Sequence, residues 1–239
     1  MPLRRPASMR AERPALRRLA AILIGAAAVL VLAPYAIAPL YRFIDPISTP
    51  MLWRYATGAR VERIAVPLDR IAPALQLAAI VAEDGSFCRN DGIDLGAMRE
   101  ALQQRGEYGE ARGASTITQQ TVKNLFLWQG RSYVRKALEI PLALWLNLVL
   151  PKRRILEIYF NISQWGPNGE FGAEAGARYA FGKSALELSP YQAAELAAIL
   201  PNPVARSART PAMLVRRLAG LYERRADAFG ALDSCVRAP

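Results

Sequence analysis

Histidine is absent from all 239 residues. That absence removes Ser-His-Asp and Cys-His catalysis, imidazole metal ligands and imidazole proton shuttles. An enzyme made from this chain draws its acids and bases from carboxylates, Lys, Tyr or Cys. Cysteine is nearly absent as well. Cys88 and Cys235 are the two present, and with no Cys-x-x-Cys a zinc ribbon or thioredoxin-type site is excluded. Acidic residues are scarce beside basic ones, 20 against 31, for a net charge of +11. That balance favours polyanionic partners: nucleic acid, anionic lipid or a phosphorylated substrate. Internal repeats are missing, and strand signals almost so. A hydrophobic share of 52% against 21% charged excludes a disordered chain, and the length fits one domain with appendages.

The N-terminus carries a strong signal. Residues 1–18 hold six arginines (4, 5, 10, 13, 17 and 18) against the single acid Glu12. Leu19 to Tyr41 then runs 23 residues without a charge. As a helix that is about 34 Å, enough to cross a hydrocarbon core of about 30 Å. Arginines before the span and few after it predict a cytoplasmic N-terminus and an external remainder. Tyr35 and Tyr41 fall where interfacial aromatics belong, and Pro34 and Pro39 end or kink the helix near the outer face. A cleaved signal peptide is the alternative, with Ala36-Ile37-Ala38 as its cleavage box, but Pro39 directly after the cut opposes it. A buried core helix is disfavoured by the length and the arginine cluster. The expectation is an uncleaved anchor over 19–41 behind a basic segment over 1–18.

The rest reads as helices. Residues 42–70, with Pro46, Pro50, Gly58 and Pro67, are expected to be a linker ending in a short extended piece, Val61 to Val66. Helical spacing begins near Ile71 and continues to Glu83. Further helices are expected over Leu95–Gln104, Thr116–Phe126 with Ser115 as N-cap, Arg135–Leu150 interrupted by Pro141, Arg153–Asn161, Ala173–Tyr179 and Pro190–Leu200. Loops are expected over 85–92, 108–113 and 164–172. Residues 204–239 read as a basic helix and a loose tail. The domain over 71–203 is therefore expected to be mainly α-helical.

Three stretches carry chemistry. Glu83, in Glu83-Asp84-Gly85-Ser86-Phe87 leading to Gly92-Ile93-Asp94, closes an apolar helix at a Gly-bearing turn. A carboxylate poorly solvated on one side has a raised pKa and suits a general base; a solvated Glu-Asp pair at a helix end is the bland alternative. Gly113-Ala114-Ser115-Thr116-Ile117-Thr118-Gln119-Gln120 packs small hydroxyls and amides at a helix start, fit for sugar or phosphate or simply for a cap, with Lys123 one turn on. Arg135 and Glu139 are spaced i,i+4, which by itself is a surface ion pair. Leu138, Ile140, Leu142 and Leu144 around Glu139 argue for partial burial instead.

Taken together, EDGSF…GID, GASTITQQTVKNLFL, RKALE, KRRILEIYFN, FGAEAGARYAFGK and ELAAILPNP resemble the family 51 peptidoglycan glycosyltransferases, over roughly Ile71 to Pro203. The single span, the short stretch after Pro203 and the lack of any Ser-x-x-Lys make the chain similar to the monofunctional biosynthetic members. The resemblance implies a lysozyme-like helical glycosyltransferase domain. It implies catalytic roles for Glu83, the presumed base, and Glu139. It implies substrate binding by Asp84, Phe87, Ser115, Thr116, Gln119, Gln120, Lys123, Asn124, Arg131, Arg135, Lys136, Lys152 and Glu157. Asn90 departs from the pattern, standing where many members have His.

The reaction so implied joins a lipid-linked glycan strand to lipid II. The acceptor's 4-hydroxyl attacks the donor's anomeric carbon, a β-1,4 bond forms and undecaprenyl pyrophosphate leaves. The poor nucleophile calls for a carboxylate base, while the stable anionic leaving group calls for fixed cations, which Lys123, Arg131 and Arg135 supply. No cofactor is required; a divalent cation, Mg or Mn, is compatible with the pyrophosphate, but no ligand cluster demands one. Glu139 is open to three roles: orienting cations, orienting water or holding a metal. Expected partners are lipid II, the glycan strand, the membrane and other cell-wall synthesis or division proteins, with no nucleic acid. The expected location is the inner membrane with the domain in the periplasm. Leu125 to Trp128 is either core or a stretch dipping into the outer leaflet. Both cysteines are expected to be free thiols, because the tail looks loosely packed and the family's chemistry needs no bridge. The rivals are a lysozyme-like lytic enzyme and an inactive membrane scaffold; the hydroxyl-amide run with its cations opposes the first, and the two glutamates oppose the second.

Overall fold

The computed structural model describes residues 8–108, 115–130, 132–229 and 234–236. In chain order the helices are α1 (Ser8–Ile37), α2 (Thr49–Ala56), α3 (Pro73–Glu83), α4 (Leu95–Tyr108), α5 (Ile117–Phe126), α6 (Tyr133–Val149), α7 (Lys152–Ile162), α8 (Ala173–Phe181), α9 (Pro190–Ile199) and α10 (Met213–Phe229). Two-residue strands β1 (Glu62–Arg63) and β2 (Glu170–Phe171) pair in parallel, Glu62 opposite Glu170. The mainly α-helical expectation holds.

Leu16 to Arg42 is one apolar helical stretch of 27 residues, long enough to cross a bilayer and exposed throughout its apolar window. It fits a single-pass membrane anchor. Its end is fastened to the rest. Trp145 Nε1 on α6 donates to the Tyr35 carbonyl at 3.0 Å. Arg154 on α7 donates to the carbonyls of Tyr41 and Ile44, each at 2.8 Å, and to Asp45 at 2.8 Å.

The stretch 42–70 is not a linker. Ser48 caps α2 by accepting from Met51 N, and Met51 and Leu68 are fully buried. Thr49 Oγ1 donates to the Leu127 carbonyl at 2.7 Å, which seats α2 on the end of α5. The prolines and glycine that suggest a linker mark turns between packed pieces instead.

Two clusters organise the core. Tyr159, Phe160 and Trp165 are buried, with Phe160 and Trp165 stacked at 5.6 Å. Trp165 packs on Gly176 of α8, where a Cβ would fall 2.4 Å from the Trp165 Cβ. The loop 164–172 is thereby pinned. The second cluster is a seam of Ala78, Ala194, Ala197 and Ala219, and such small side chains let helices approach closely. It joins α3, α9 and α10 and so fixes the end of α3, where Glu83 stands.

Three local details depart from expectation. Thr116, not Ser115, caps α5, because Thr116-x-x-Gln119 makes a reciprocal capping box that Ser115-x-x-Thr118 cannot. Pro141 does not interrupt α6: the helix runs through it, with the ring on the exposed side. The cysteines are not free. Cys88 and Cys235 form a disulfide, with Cα atoms 5.5 Å apart. The tail folds back to make it: Val236 is buried, and its carbonyl accepts from Arg153 at 2.7 Å.

Candidate active site

Glu83 is the last residue of α3, half-buried, and its Oε2 accepts from Gln120 Nε2 at 2.7 Å. Burial pushes its carboxyl above the ordinary range. The Gln120 bond and the charges of Lys123 and Arg206 pull it back, while Asp84 adds to the rise. This is the environment expected of a base at the end of an apolar helix.

Asp84 lies deeper. It accepts from the Ile117 backbone N–H at 3.0 Å, at the first turn of α5, and from Asn90 Nδ2 at 2.9 Å and Ser86 Oγ at 3.2 Å. Phe87 is wholly buried and forms a floor, with Lys152 Nζ 4.6 Å from its ring centroid. Asp84 and Phe87 thus build the turn that presents Glu83.

Lys123, Arg135 and Lys136 form a cation cluster. Each has its pKa lowered, by burial first, and Arg135 further depresses both lysines. For Lys136 the value falls to about 8. Glu139 counters the cluster. It is 2% exposed, pairs with Arg135, and takes Lys136 Nζ at 2.9 Å. Lys136 Nζ also donates to Ser115 Oγ at 2.8 Å, the hydroxyl left over once Thr116 takes the cap. The pair is therefore no solvated surface bridge. Removing one partner of such a buried pair typically costs about 3–5 kcal/mol.

Several expected binding residues do other work. Thr116 and Gln119 are buried and make the capping box, with Thr116 Oγ1 also donating to the Gly92 carbonyl at 2.6 Å, while Gln119 Nε2 is left without a partner among the described residues. Asn124 is half-buried at the end of α5, where its Oδ1 accepts from Gln129 at 3.3 Å. Glu157 pairs with Arg154 and accepts from Leu68 N at 2.7 Å. It lines a cavity of about 260 Å³ with Arg42, Phe43, Asp45 and Arg154, beside the end of the anchor and without Glu83. Arg131 lies outside the described residues. Among the described residues no three His, Cys, Asp or Glu side chains gather as a metal cluster.

Two contributors escape sequence reasoning. Arg206, held by a 2.8 Å bond to the Ala198 carbonyl, acts on Glu83, and Tyr222 of α10 feels both charges. Both lie in the part read as a basic tail. The Pro201-Asn202-Pro203 turn that sends the chain back towards α3 was the available signal.

A half-buried glutamate with a raised pKa beside fixed cations, on a lysozyme-like helical scaffold, suits a glycosyltransferase. Residues 51–225 match the family model described as Transglycosylase, and the chain belongs to that family. It is 54% identical over 227 residues to a biosynthetic peptidoglycan transglycosylase of Rhodopseudomonas palustris strain TIE-1, covering 95% of this chain and 96% of that one. A protein of the same name from Rhizobium meliloti strain 1021 is 47% identical over 232 residues, 96% of each chain. One from Agrobacterium fabrum is 45% identical over 222 residues, 92% of this chain and 98% of the other.

Proposed function

We propose that this protein is a membrane-anchored peptidoglycan glycosyltransferase that polymerises lipid II into β-1,4 glycan strands, with Glu83 as general base. The observation that carries the reading is Glu83 itself, raised by burial, bonded to Gln120 and set beside Lys123. Glu83 takes the proton of the acceptor 4-hydroxyl as that oxygen attacks the donor's anomeric carbon. Lys123, Arg135 and Lys136, with Arg131, meet the negative charge that builds on the departing pyrophosphate. Glu139 orients Arg135 and Lys136, a role its two ion pairs support over water or metal binding.

The basic N-terminus lies in the cytoplasm and the catalytic domain in the periplasm, held at the inner membrane. Phe43, directly after the apolar stretch, and Trp128, two residues past the Phe126 ring that stacks on Tyr41, are exposed apolar side chains near the anchored end and support a seat in the outer leaflet. Leu125 and Leu127 belong to the core, so of Leu125 to Trp128 it is Trp128 that reaches outward. An enzyme so held meets its polyprenyl-tethered substrates at raised effective concentration.

The test is incubation of the full-length protein with labelled lipid II. Glycan strands and free undecaprenyl pyrophosphate are expected, and a folded Glu83→Gln variant is expected to make neither. Cleavage of preformed strands without pyrophosphate release would establish the lytic rival, and full activity in Glu83→Gln would remove Glu83 as the base.

A further inference from the structure

Four hydrogen bonds converge on one neutral side chain in the turn after α3. Asn90 Nδ2 donates to Asp84 Oδ1 at 2.9 Å and to Ser86 Oγ at 3.1 Å. Asn90 Oδ1 accepts from Lys152 Nζ and from the Gly92 backbone N–H, both at 3.0 Å. The orientation of the amide is dictated by its neighbours. A flipped amide would turn its NH2 towards an ammonium and its carbonyl towards a carboxylate.

The groups it joins are themselves fixed. Asp84 holds the first turn of α5 through Ile117, and Lys152 rests over the buried ring of Phe87. Asn90 is thus the link between the end of α3, the start of α5 and the start of α7. Without that amide, Lys152 is free to close directly on Asp84. The two charges would then cancel each other, and Asp84 would be drawn from its bond to α5.

We propose that Asn90 is a positioning residue whose amide holds Asp84 and Lys152 as two separate charges and keeps the Lys152 ammonium available to substrate. The part played by substrate rests on reading Lys152 as a cation of the cleft. An amide is suited to this role because it does not titrate, so the spacing persists across the working pH range. Burial brings Lys152 down to about 8, and Asp84 and Asp91 are the charged groups acting to raise it. A carboxylate at position 90 would add a third.

The test uses the full-length protein in detergent. Lys152 is titrated by following its acylation with an amine reagent against pH, read at that residue by mass spectrometry. Its half-point is expected near 8 in the wild type and at least one pH unit higher in Asn90→Asp. In Asn90→Ala, where Lys152 closes on Asp84, an upward shift and a kcat for lipid II polymerisation at least tenfold lower are expected. Asn90→Asp calibrates the response of Lys152 to an added charge, and Asn90→Ser, which removes the amide without adding one, carries the test if Asn90→Ala fails to fold. An unmoved Lys152 titration in the folded variants would overturn the inference. A moved titration with unchanged kcat and pH profile would uphold the positioning but remove Lys152 from the substrate cations.

Discussion

Gln120 Nε2 and Glu83 Oε2 lie 2.7 Å apart, and that bond ties the last residue of α3 to the second turn of α5. It favours the ionised carboxylate, against the burial that disfavours it. A base must be ionised, so with Glu83 in the proposed role activity is expected to fall as pH drops through a Glu83 pKa above the ordinary carboxylate range. In Gln120→Ala the opposing bond is gone, the pKa rises further and the acid limb moves to higher pH. A bond to a charged group is worth about 1.5–3 kcal/mol, or roughly one to two pH units. A kcat–pH profile decides it, and an acid limb unchanged in Gln120→Ala would separate this bond from the chemistry.

The upper limb has a different origin. Lys136 and Lys152 both sit at about 8, lowered by burial, and both lose their charge above it. Polymerisation is expected to decline above about pH 8, giving a bell-shaped kcat. A rate that is flat from pH 7 to 10 would show that neither ammonium is needed.

In the proposed reaction Lys123 faces the charge that develops on the pyrophosphate. Lys123→Ala is expected to lower kcat by about 10²–10³, or 2.7–4 kcal/mol, with a smaller effect on KM. Lys123→Arg is expected to recover little, since a planar fork does not reproduce a compact ammonium, least of all beside Arg135. Steady-state kinetics on lipid II check both, and a kcat within a few-fold of wild type in Lys123→Ala would return this lysine to a structural role.

Gly92 has φ +98°, and a Cβ there would fall 2.6 Å from the Ala143 carbonyl of α6. Gly92→Ala is expected to destabilise by about 1–3 kcal/mol and to lower Tm. Gly85, two residues after Glu83, has open space within 4 Å of where a Cβ would stand, so Gly85→Ala is the control with an unchanged Tm. Equal melting temperatures for the two variants would contradict the close approach of the turn to α6.

The disulfide closes a span of 147 residues. Cys235→Ser is expected to cost about 2–4 kcal/mol, chiefly by freeing the unfolded chain. Denaturant midpoints of wild type and variant measure it. Two titratable thiols in the native, unreduced protein would show the bridge absent.

What was legible in the sequence was local. Helical spacing locates α3, α5, α7 and α9 to within a few residues, and the burial of Glu83 and Glu139 follows from the apolar residues around them. What was not legible depends on partners distant in the chain. No spacing shows that Cys88 meets Cys235, that Val61–Val66 finds its strand partner after Gly169, or that Arg206 returns to Glu83. The cap at Thr116 was a different kind of miss. The Thr-x-x-Gln pattern was present and outranks the more familiar preference for Ser, because both partners of the box are satisfied only one residue later.

The fastening of α1 carries a mechanical consequence. Trp145 grips Tyr35 while Arg154 grips Tyr41, Ile44 and Asp45, so the end of the apolar stretch and the residues just after it join the domain as a bracket rather than a tether. A tether would let the domain swivel and bob; a bracket sets its altitude and its lean over the bilayer. A glycan strand made by the domain would then leave each copy at one standing elevation.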